Sequence, residues 1–229
     1  MKALTHLTAK PAQSATDLVF DTLYNAVVQL ELPPGSRVSE ADIAERLQVS
    51  RQPVRDAFFR LSNRGFVLIR PQRATLITKI SETEVLRTAF IRIALETACI
   101  KEAIDKVSDS DISQMRSIIE AQRRAVNKQD RAAFHELDET FHAAICEIGE
   151  QPRVWNLIQE QKGHMDRARF LSLSFNQEAA LAEHEQILDA LVSGDEEAAV
   201  ARLEAHLSKI RGYLHQIRLA HSHYFEEVD

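Results

Sequence analysis

The sequence predicts a mainly helical protein, with an N-terminal winged helix-turn-helix followed by an antiparallel all-α helical bundle. Residues 16–78 show the order helix, helix, turn, helix and β-hairpin, whereas residues 79–229 show helical periodicity and no strand-like alternation. The charge changes between the two parts. Residues 1–80 hold 11 Lys and Arg against 7 Asp and Glu, and residues 81–229 hold 17 against 27. We therefore expect two domains with different partners.

Prolines, glycines and capping serines set the elements of the first domain. Pro33, Pro34 and Gly35 end the first helix, Ser39 and Ser50 are N-caps for the next two, and Gly65 stops the third. We expect residues 1–15 to be a flexible N-terminus. The predicted elements are helices over residues 16–30, 40–47 and 51–64, and β-type segments over residues 66–69 and 74–78.

The second domain, residues 79–229, begins at Ser81-Glu82-Thr83-Glu84, which has the pattern of a capping box. Breaks such as Gly149 to Pro152, Ser174 to Asn176 and Gly194-Asp195 divide the remainder into helices. Short connections of this kind favour an antiparallel bundle. The six predicted segments cover residues 81–106, 109–128, 130–148, 151–172, 176–192 and 195–225.

The composition excludes several classes of protein. The chain has 229 residues, of which 45% are hydrophobic and 27% charged, and no stretch approaches the ~18 uninterrupted apolar residues of a membrane span. Residues 1–17 lack the apolar block of a secretory signal, so we expect a cytoplasmic protein with no membrane partner. Cys99 and Cys146 lie in apolar helical patterns without paired spacing, which predicts buried, reduced thiols.

A local basic surface lies within this acidic protein, whose formal net charge is −6. Between Arg46 and Arg73 there are seven arginines, and Asp56 is the single acid. A charge run of this kind fits a solvated surface as well as a phosphate-binding surface. The location of these arginines on the folded domain distinguishes the two.

The third helix has the pattern of a recognition helix, which places polar side chains from its first turns in the major groove. Arg51, Gln52 and Arg55 lie near its N-terminal end with the N-cap Ser50, and arginine can bind guanine through two hydrogen bonds. We predict that these four residues contact DNA. The further predicted contacts are Arg37 and Arg46 with phosphates and Arg73, at the tip of the wing, with the minor groove.

These residues carry a specific resemblance over residues 16–78. The segments Pro34-Gly35-Ser36-Arg37-Val38-Ser39-Glu40, Ile43-Ala44-Glu45-Arg46-Leu47 and Val49-Ser50-Arg51-Gln52-Pro53-Val54-Arg55-Asp56-Ala57 resemble the GntR family of bacterial regulators. The resemblance implies a transcription regulator that is not an enzyme. The family's wing usually has a glycine at its tip, whereas Ala74 follows Arg73 here.

Four residues of the second domain form a candidate metal site. Asp138 and His142 are four residues apart and share one helix face, while His184 and His206 lie in two later helices. Three imidazoles and one carboxylate suit a divalent Zn, Ni, Mn or Fe ion with open positions for a ligand. Spacing alone also fits unrelated histidines, of which the chain has nine.

The second domain resembles the all-helical, FCD-type ligand-binding domain of the FadR-type subgroup of that family. The resemblance implies a metal bound by an Asp-x-x-x-His pair and two later histidines, which match Asp138, His142, His184 and His206. It also implies an arginine that faces the cavity, and Arg92 occupies that position. A guanidinium in an apolar setting favours an anionic effector, a small organic acid, although a salt bridge to a neighbouring Glu is the alternative.

We therefore expect a homodimeric regulator, by default a repressor, that binds a palindromic DNA operator and responds to a small carboxylate effector. Two other functions fit part of the pattern. A metal-dependent hydrolase or isomerase would use the same four metal-type residues, but no general acid or base accompanies them. A helical dimerisation protein without effector would make the histidines incidental.

Overall fold

The computed structural model describes residues 14–70 and 74–227 and confirms the predicted fold class. The predicted flexible N-terminus lies outside the described residues except for Ser14 and Ala15, which cap and begin the first helix. The N-terminal elements are α1 (Ala15–Val28), β1 (Arg37–Val38), α2 (Glu40–Leu47), α3 (Arg51–Asn63), β2 (Val67–Leu68) and β3 (Thr75–Ile77).

A small sheet joins the wing to the helices of the first domain. Its strand order is β1-β3-β2, and both pairings are antiparallel. The two-residue strand β1 is an element that the sequence did not predict, because two residues are too few to show alternation. Apolar side chains of α1 and α3, including Phe20, Val27 and Phe58, form the core of this domain.

The described part of the second domain, residues 79–227, contains six α-helices: α4 (Glu82–Ile104), α5 (Asp109–Asn127), α6 (Arg131–Ile148), α7 (Pro152–Gln161), α8 (Gly163–Ser193) and α9 (Glu196–Ala220). The predicted break at residues 174–176 is wrong, because α8 runs through it. Ser172 and Ser174 donate hydrogen bonds to carbonyl oxygens one turn earlier, and Asn176 donates to Ser172, so these polar side chains are satisfied within the helix. The real break separates Gln161 from Gly163.

Two further details of the second domain differ from the prediction. The Ser81 hydroxyl accepts a hydrogen bond from the backbone amide of Glu84. The backbone amide of Ser81, however, donates to His164 Nδ1 and not to the Glu84 carboxylate, so only half of the predicted capping box forms. The last helix ends at Ala220 instead of continuing to residue 225. After it, Phe225 forms a parallel bridge with Ile80, so the C-terminal segment packs on the connection between the domains.

The two domains meet at the beginning of α8. Tyr24 of α1 donates a hydrogen bond of 2.6 Å to Asp166 Oδ2, and Arg167 donates one of 2.6 Å to the carbonyl oxygen of Thr78. Asp166 and Arg167 are buried. Gly163 faces the ring of Phe66 so closely that a Cβ atom there would lie 2.4 Å from Phe66 Cζ. The domain junction is therefore tightly packed and polar.

Among helices of the described ranges, none has the length and apolar character needed to cross a membrane.

The packing at Gly163 leads to a first prediction. Gly163→Ala should lower the free energy of unfolding by about 1 to 3 kcal/mol, because the added methyl group collides with Phe66. Thermal unfolding followed by circular dichroism measures the change. Gly212→Ala is the matched control, since its added Cβ would meet no neighbouring group of the described residues within 4 Å and alanine favours a helix. Equal melting temperatures for the two variants would contradict the packing described here.

Candidate DNA-binding surface and candidate metal centre

Helix α3 separates an inner apolar face from an outer polar face. Val54, Phe58 and Leu61 are buried in the core of the first domain, while Arg51, Gln52 and Arg55 are exposed near the beginning of the helix. This is the division that a recognition helix requires. The hydroxyl of the N-cap Ser50 makes no capping hydrogen bond, so it is available to another partner.

Two of the three exposed polar residues already have acidic partners. Arg55 donates from Nε and Nη2 to the carboxylate of Glu40, at distances between 3.0 and 3.3 Å. Gln52 donates from Nε2 to Asp56 Oδ1 at 2.9 Å. These contacts limit the orientations that Arg55 and Gln52 adopt.

The remaining predicted DNA contacts lie on neighbouring elements. Arg37 is exposed on β1, opposite Leu76 of β3, and Arg46 is exposed in the last turn of α2. The predicted wing-tip contact, Arg73, lies outside the described residues. The DNA-binding role of every one of these residues remains a prediction.

The four predicted metal ligands converge in the interior of the second domain. Asp138 and His142 come from α6, His184 from α8 and His206 from α9, and all four are buried. One ligand atom from each lies within 4.8 Å of the others. The group has the residue types and the proximity to hold a metal ion.

A second layer of polar side chains orients the histidines. His142 Nδ1 lies 2.6 Å from Glu96 Oε2, His184 Nδ1 is 2.9 Å from Gln122 Oε1, and His206 Nδ1 is 2.7 Å from Glu183 Oε2. Outer acceptors of this kind fix the tautomer and ring orientation of metal-binding histidines. The Nε2 atoms of His184 and His206 are therefore left for the interior.

The tautomers of two histidines follow from their partners. Gln122 Nε2 donates to the carbonyl oxygen of Leu137, so its Oε1 faces His184 and accepts the Nδ1 proton. The carboxylate of Glu183 accepts the Nδ1 proton of His206 in the same way. Neutral rings then present unprotonated Nε2 atoms to each other at 3.3 Å. Two facing lone pairs repel, and a cation between them would remove that repulsion.

The electrostatics of the cluster keep it in the metal-binding form. Burial lowers the pKa of His206 to about 4 and the pKa of His184 well below its usual value, so both rings are neutral at pH 7. Burial alone would raise the pKa of Asp138, but Arg169 and the nearby histidines hold it well below its ordinary value. Asp138 Oδ2 is buried and has no hydrogen-bond partner among the described residues.

A small pocket lies beside the cluster, between α8 and α9. Its volume is about 30 Å³, and its wall includes His206, Arg169 and Glu183. Arg169 also pairs with Asp138, so this arginine connects the pocket to the candidate metal ligands. The remaining polar groups of the wall are Ser172, Asn176, Lys209 and Tyr213. Ser172 and Asn176 donate hydrogen bonds within α8, and Lys209 pairs with Glu183.

The predicted effector residue Arg92 is fully buried and pairs with Glu96 through Nε, at 2.6 Å. This is the salt bridge that sequence reasoning kept as an alternative. Its Nη1 and Nη2 atoms have no hydrogen-bond partner in the described part of the chain. Arg92 does not line the pocket beside His206. A bound anion remains the predicted role for these two nitrogens.

Sequence reasoning missed the residues that orient the cluster and line the pocket. The sequence held a signal for two of them, because Glu183 directly precedes His184 and Glu96 lies four residues after the predicted Arg92, the spacing of a helical ion pair. Arg169 gave no such signal, because its partner Asp138 lies 31 residues earlier on another helix.

A second group of metal-type side chains already contains a cation. His135, Glu139 and Asp166 have ligand atoms within 4.8 Å of one another, but the ammonium group of Lys162 pairs with both carboxylates. Lys162 therefore supplies the positive charge that this group requires.

The buried pair of Arg92 and Glu96 leads to a second prediction. Burial would raise the pKa of Glu96, but Arg92 and His142 lower it from 4.5 to about 2. A depressed carboxyl pKa stabilises the fold above the unfolded pKa, and the stabilisation is lost as pH falls toward 2. Glu96→Gln should therefore cost about 3 kcal/mol at pH 7 and flatten the decline of stability between pH 4.5 and 2.

Urea unfolding of the parent protein and of Glu96→Gln across this pH range measures both effects. Glu102→Gln, in the same helix, removes an exposed carboxylate and is the control. Parallel pH profiles for the parent and Glu96→Gln would contradict the role assigned to this pair.

Known proteins match this chain over nearly its whole length. The model for bacterial regulatory proteins of the gntR family matches residues 15–77, and the FCD domain model matches residues 88–209. The HTH-type transcriptional repressor RspR of Escherichia coli strain K12 is 33% identical over 219 residues, which are 95% of this chain and 96% of RspR. An HTH-type transcriptional regulator of Streptomyces ambofaciens is 31% identical over 206 residues, 89% of this chain and 86% of that protein.

The fold agrees with these matches. The structure of E. coli McbR/YncC superposes with a TM-score of 0.79 at 22% identity and covers 89% of this chain and 98% of its own. The matched families and relatives are regulators of transcription, so the metal-dependent enzyme is no longer a competing interpretation. The chain therefore belongs to the GntR family of bacterial regulatory proteins, as a transcription regulator with an FCD domain behind its winged helix-turn-helix.

Proposed function

We propose that this regulator is a homodimeric repressor whose affinity for a palindromic operator is controlled by a divalent metal ion and a small carboxylate effector in the FCD domain. The observation that carries the proposal is the convergence of four buried ligand groups, from Asp138, His142, His184 and His206, beside a pocket lined with donors. A fold that only dimerises gains nothing from burying these polar side chains.

The donor set fits a metal ion. Three imidazoles and a carboxylate suit Zn, Ni, Mn or Fe, and the outer acceptors Gln122 and Glu183 hold the rings of His184 and His206 with Nε2 inward. The Glu96 carboxylate lies 2.6 Å from His142 Nδ1. A bound ion would supply a Lewis-acidic centre for a carboxylate oxygen. The facing Nε2 atoms of His184 and His206 support this proposal independently of the resemblance.

The pocket fits the carboxylate of a small organic acid. Arg169 and Lys209 carry the positive charges of its wall, where they pair with Asp138 and Glu183, and an arginine fork matches a carboxylate. A volume of about 30 Å³ is too small for an organic acid, so binding requires a side chain to move. Arg169 is the side chain placed to do so, because it can exchange Asp138 for the effector. Arg92 is the second candidate for an anion contact.

Helix α8 offers a route from this pocket to the DNA-binding domain. Arg169 lies two residues after Arg167 and three after Asp166, which hold Thr78 and Tyr24 of the first domain. A change of partner at Arg169 therefore occurs within one helical turn of the domain junction. We infer that the effector changes the position of the winged helix relative to α8.

An exposed apolar strip on α4 supports a homodimer. Phe90 is 68% exposed and Leu86 is 39% exposed, and their spacing of four residues places them on one face. Large exposed apolar side chains that share a face are typical of interaction sites. A twofold dimer would present two copies of α3 to a palindromic operator. Repression is proposed because the relative RspR is named a repressor.

The metal proposal leads to a third prediction. Zn²⁺ added to chelator-treated protein should raise the melting temperature and bind at one ion per chain, and His184→Ala should abolish both effects. Gln122→Leu should weaken binding by roughly 10- to 100-fold, because His184 loses the acceptor that orients its ring. Isothermal titration calorimetry and thermal unfolding measure these changes.

His215→Ala is the matched control, since this histidine is exposed on α9 away from the cluster. Retention of Zn²⁺ by His184→Ala with unchanged affinity would exclude the proposed site. Titrations with Ni²⁺, Mn²⁺ and Fe²⁺ identify the preferred ion.

The recognition-helix proposal leads to a fourth prediction. Arg55→Ala should weaken binding to DNA from upstream of the protein's own gene by about tenfold to a hundredfold, without altering metal content. Fluorescence anisotropy at fixed salt, against scrambled DNA, measures the affinity. Arg116→Ala removes one exposed arginine from α5 and is the charge-matched control. Equal losses in the two variants would show that net charge, and not α3, governs binding.

A further inference from the structure

Acidic residues lie among the predicted DNA contacts of α2 and α3, and two of them, Glu40 and Asp56, bind side chains of α3. Asp56 is the one acidic residue between Arg46 and Arg73, and Glu40 begins α2. A carboxylate near DNA phosphates reduces affinity, because it adds repulsion and cancels a positive charge. Each of these acids, however, binds one of the polar side chains on the outer face of α3. Their contacts indicate what they contribute.

The hydrogen bond between Gln52 and Asp56 fixes the orientation of the Gln52 amide. An ionised carboxylate accepts hydrogen bonds and cannot donate them, so the nitrogen Nε2 must face Asp56, at 2.9 Å from Oδ1. The amide oxygen Oε1 is then turned away from Asp56. Because Asp56 lies one helical turn after Gln52, we infer that Oε1 is directed toward the helix N-terminus, the end that the proposed docking places in the major groove.

An oriented amide oxygen distinguishes bases. In the major groove, adenine N6 and cytosine N4 are donors, whereas guanine and thymine present the acceptors O6, N7 and O4. Gln52 Oε1 would therefore accept from adenine or cytosine and be repelled by guanine or thymine. Nε2 keeps a second N–H, which can reach adenine N7 but has no acceptor on the cytosine edge. Adenine is the base that satisfies both groups.

The contact between Arg55 and Glu40 fixes the orientation of the Arg55 guanidinium, as Asp56 fixes that of the Gln52 amide. Glu40 occupies Nε and one N–H of Nη2, at distances of 3.0 to 3.3 Å, which leaves Nη1 and the second N–H of Nη2. Arg55 is therefore held with the end of its guanidinium free, and this end presents two parallel donors to guanine O6 and N7. A side chain fixed in advance loses less conformational entropy on binding.

We propose that Asp56 and Glu40 are positioning residues for operator sequence: Asp56 makes Gln52 select adenine, and Glu40 directs the end of Arg55 to guanine. Neither acid needs to touch a base. This inference rests on the proposed function of α3 as the recognition helix. It assigns the acids a role in selectivity, which is separable from affinity. Removing an acid lowers its repulsion of DNA phosphates, which favours binding, but it also frees the side chain of Gln52 or Arg55 to turn, which lowers base selectivity.

In vitro selection from a random DNA pool tests the proposal with the full chain. The parent protein should enrich a motif, and Gln52→Ala identifies the base pair that Gln52 reads as the one at which preference disappears. There the parent should prefer adenine over guanine by roughly tenfold or more. Asp56→Asn should reduce this ratio to about threefold or less, because an amide partner can donate as well as accept and so permits both orientations of Gln52.

Two further variants separate positioning from charge. Asp56→Glu retains a carboxylate within one turn and should keep the adenine preference. Asp42→Asn removes the same charge from α2 without touching Gln52 or Arg55, and should raise affinity slightly with the preference unchanged. Glu40→Gln should reduce guanine preference at the pair read by Arg55 and leave the adenine position intact.

An adenine preference that persists in Asp56→Asn, in a protein with unchanged circular dichroism, would overturn the role of Asp56. An equal loss of preference in Asp42→Asn would also overturn it, since charge would then be the cause. If the parent enriches no motif, α3 is not a recognition helix and the proposed function fails together with the inference. If the parent enriches a motif and its base preferences are unchanged in Asp56→Asn and Glu40→Gln, the positioning role of the acids is wrong while the recognition-helix proposal stands.

Discussion

The ion pair between Asp138 and Arg169 joins α6 to α8 at the point where the candidate metal centre, the pocket and the domain junction meet. Both side chains are almost completely buried, so neither charge is tolerated there without the other. Asp138 also lies 3.4 Å from His184 Nε2, while Arg169 reaches the pocket wall. Loss of either charge therefore alters the electrostatic balance both at the candidate metal centre and at the pocket.

A chain of further charge pairs runs from the residue next to Asp138 to the junction between the two domains. Glu139, adjacent to Asp138, pairs with Lys162, and Lys162 pairs with Asp166, which accepts the hydroxyl proton of Tyr24. Trp155 lies beside this chain of contacts. Its ring stacks on His142 with centroids 6.4 Å apart, and Lys162 Nζ is 5.6 Å from its centroid. A buried ionic network of this kind is sensitive to small shifts, because each unpaired charge is costly in a low dielectric.

The sequence predicted the elements and the cluster where the signal was local. Asp138 and His142 were found because i, i+4 spacing defines a helix face, and Ser39 and Ser50 because capping residues mark helix starts. The continuity of α8 was missed because Ser172, Ser174 and Asn176 are typical of loops unless their side chains bond within a helix. Gln122 and Arg169 could not be predicted, since their partners come from other helices and depend on how the bundle packs.

The cluster is costly for the folded protein, and this cost explains its surroundings. Burying three imidazoles and a carboxylate removes their hydration, and hydrogen bonds to Gln122 and Glu183 restore one partner to the rings of His184 and His206, while the Glu96 carboxylate lies 2.6 Å from His142 Nδ1. The inner Nε2 atoms of His184 and His206 remain facing each other at 3.3 Å. An ordinary core would replace these residues with apolar side chains and be more stable. Inner Nε2 atoms that face each other, with outer Nδ1 atoms held by Gln122 and Glu183, are instead what the proposed cation site requires, because the outer contacts fix the geometry before the ligand arrives.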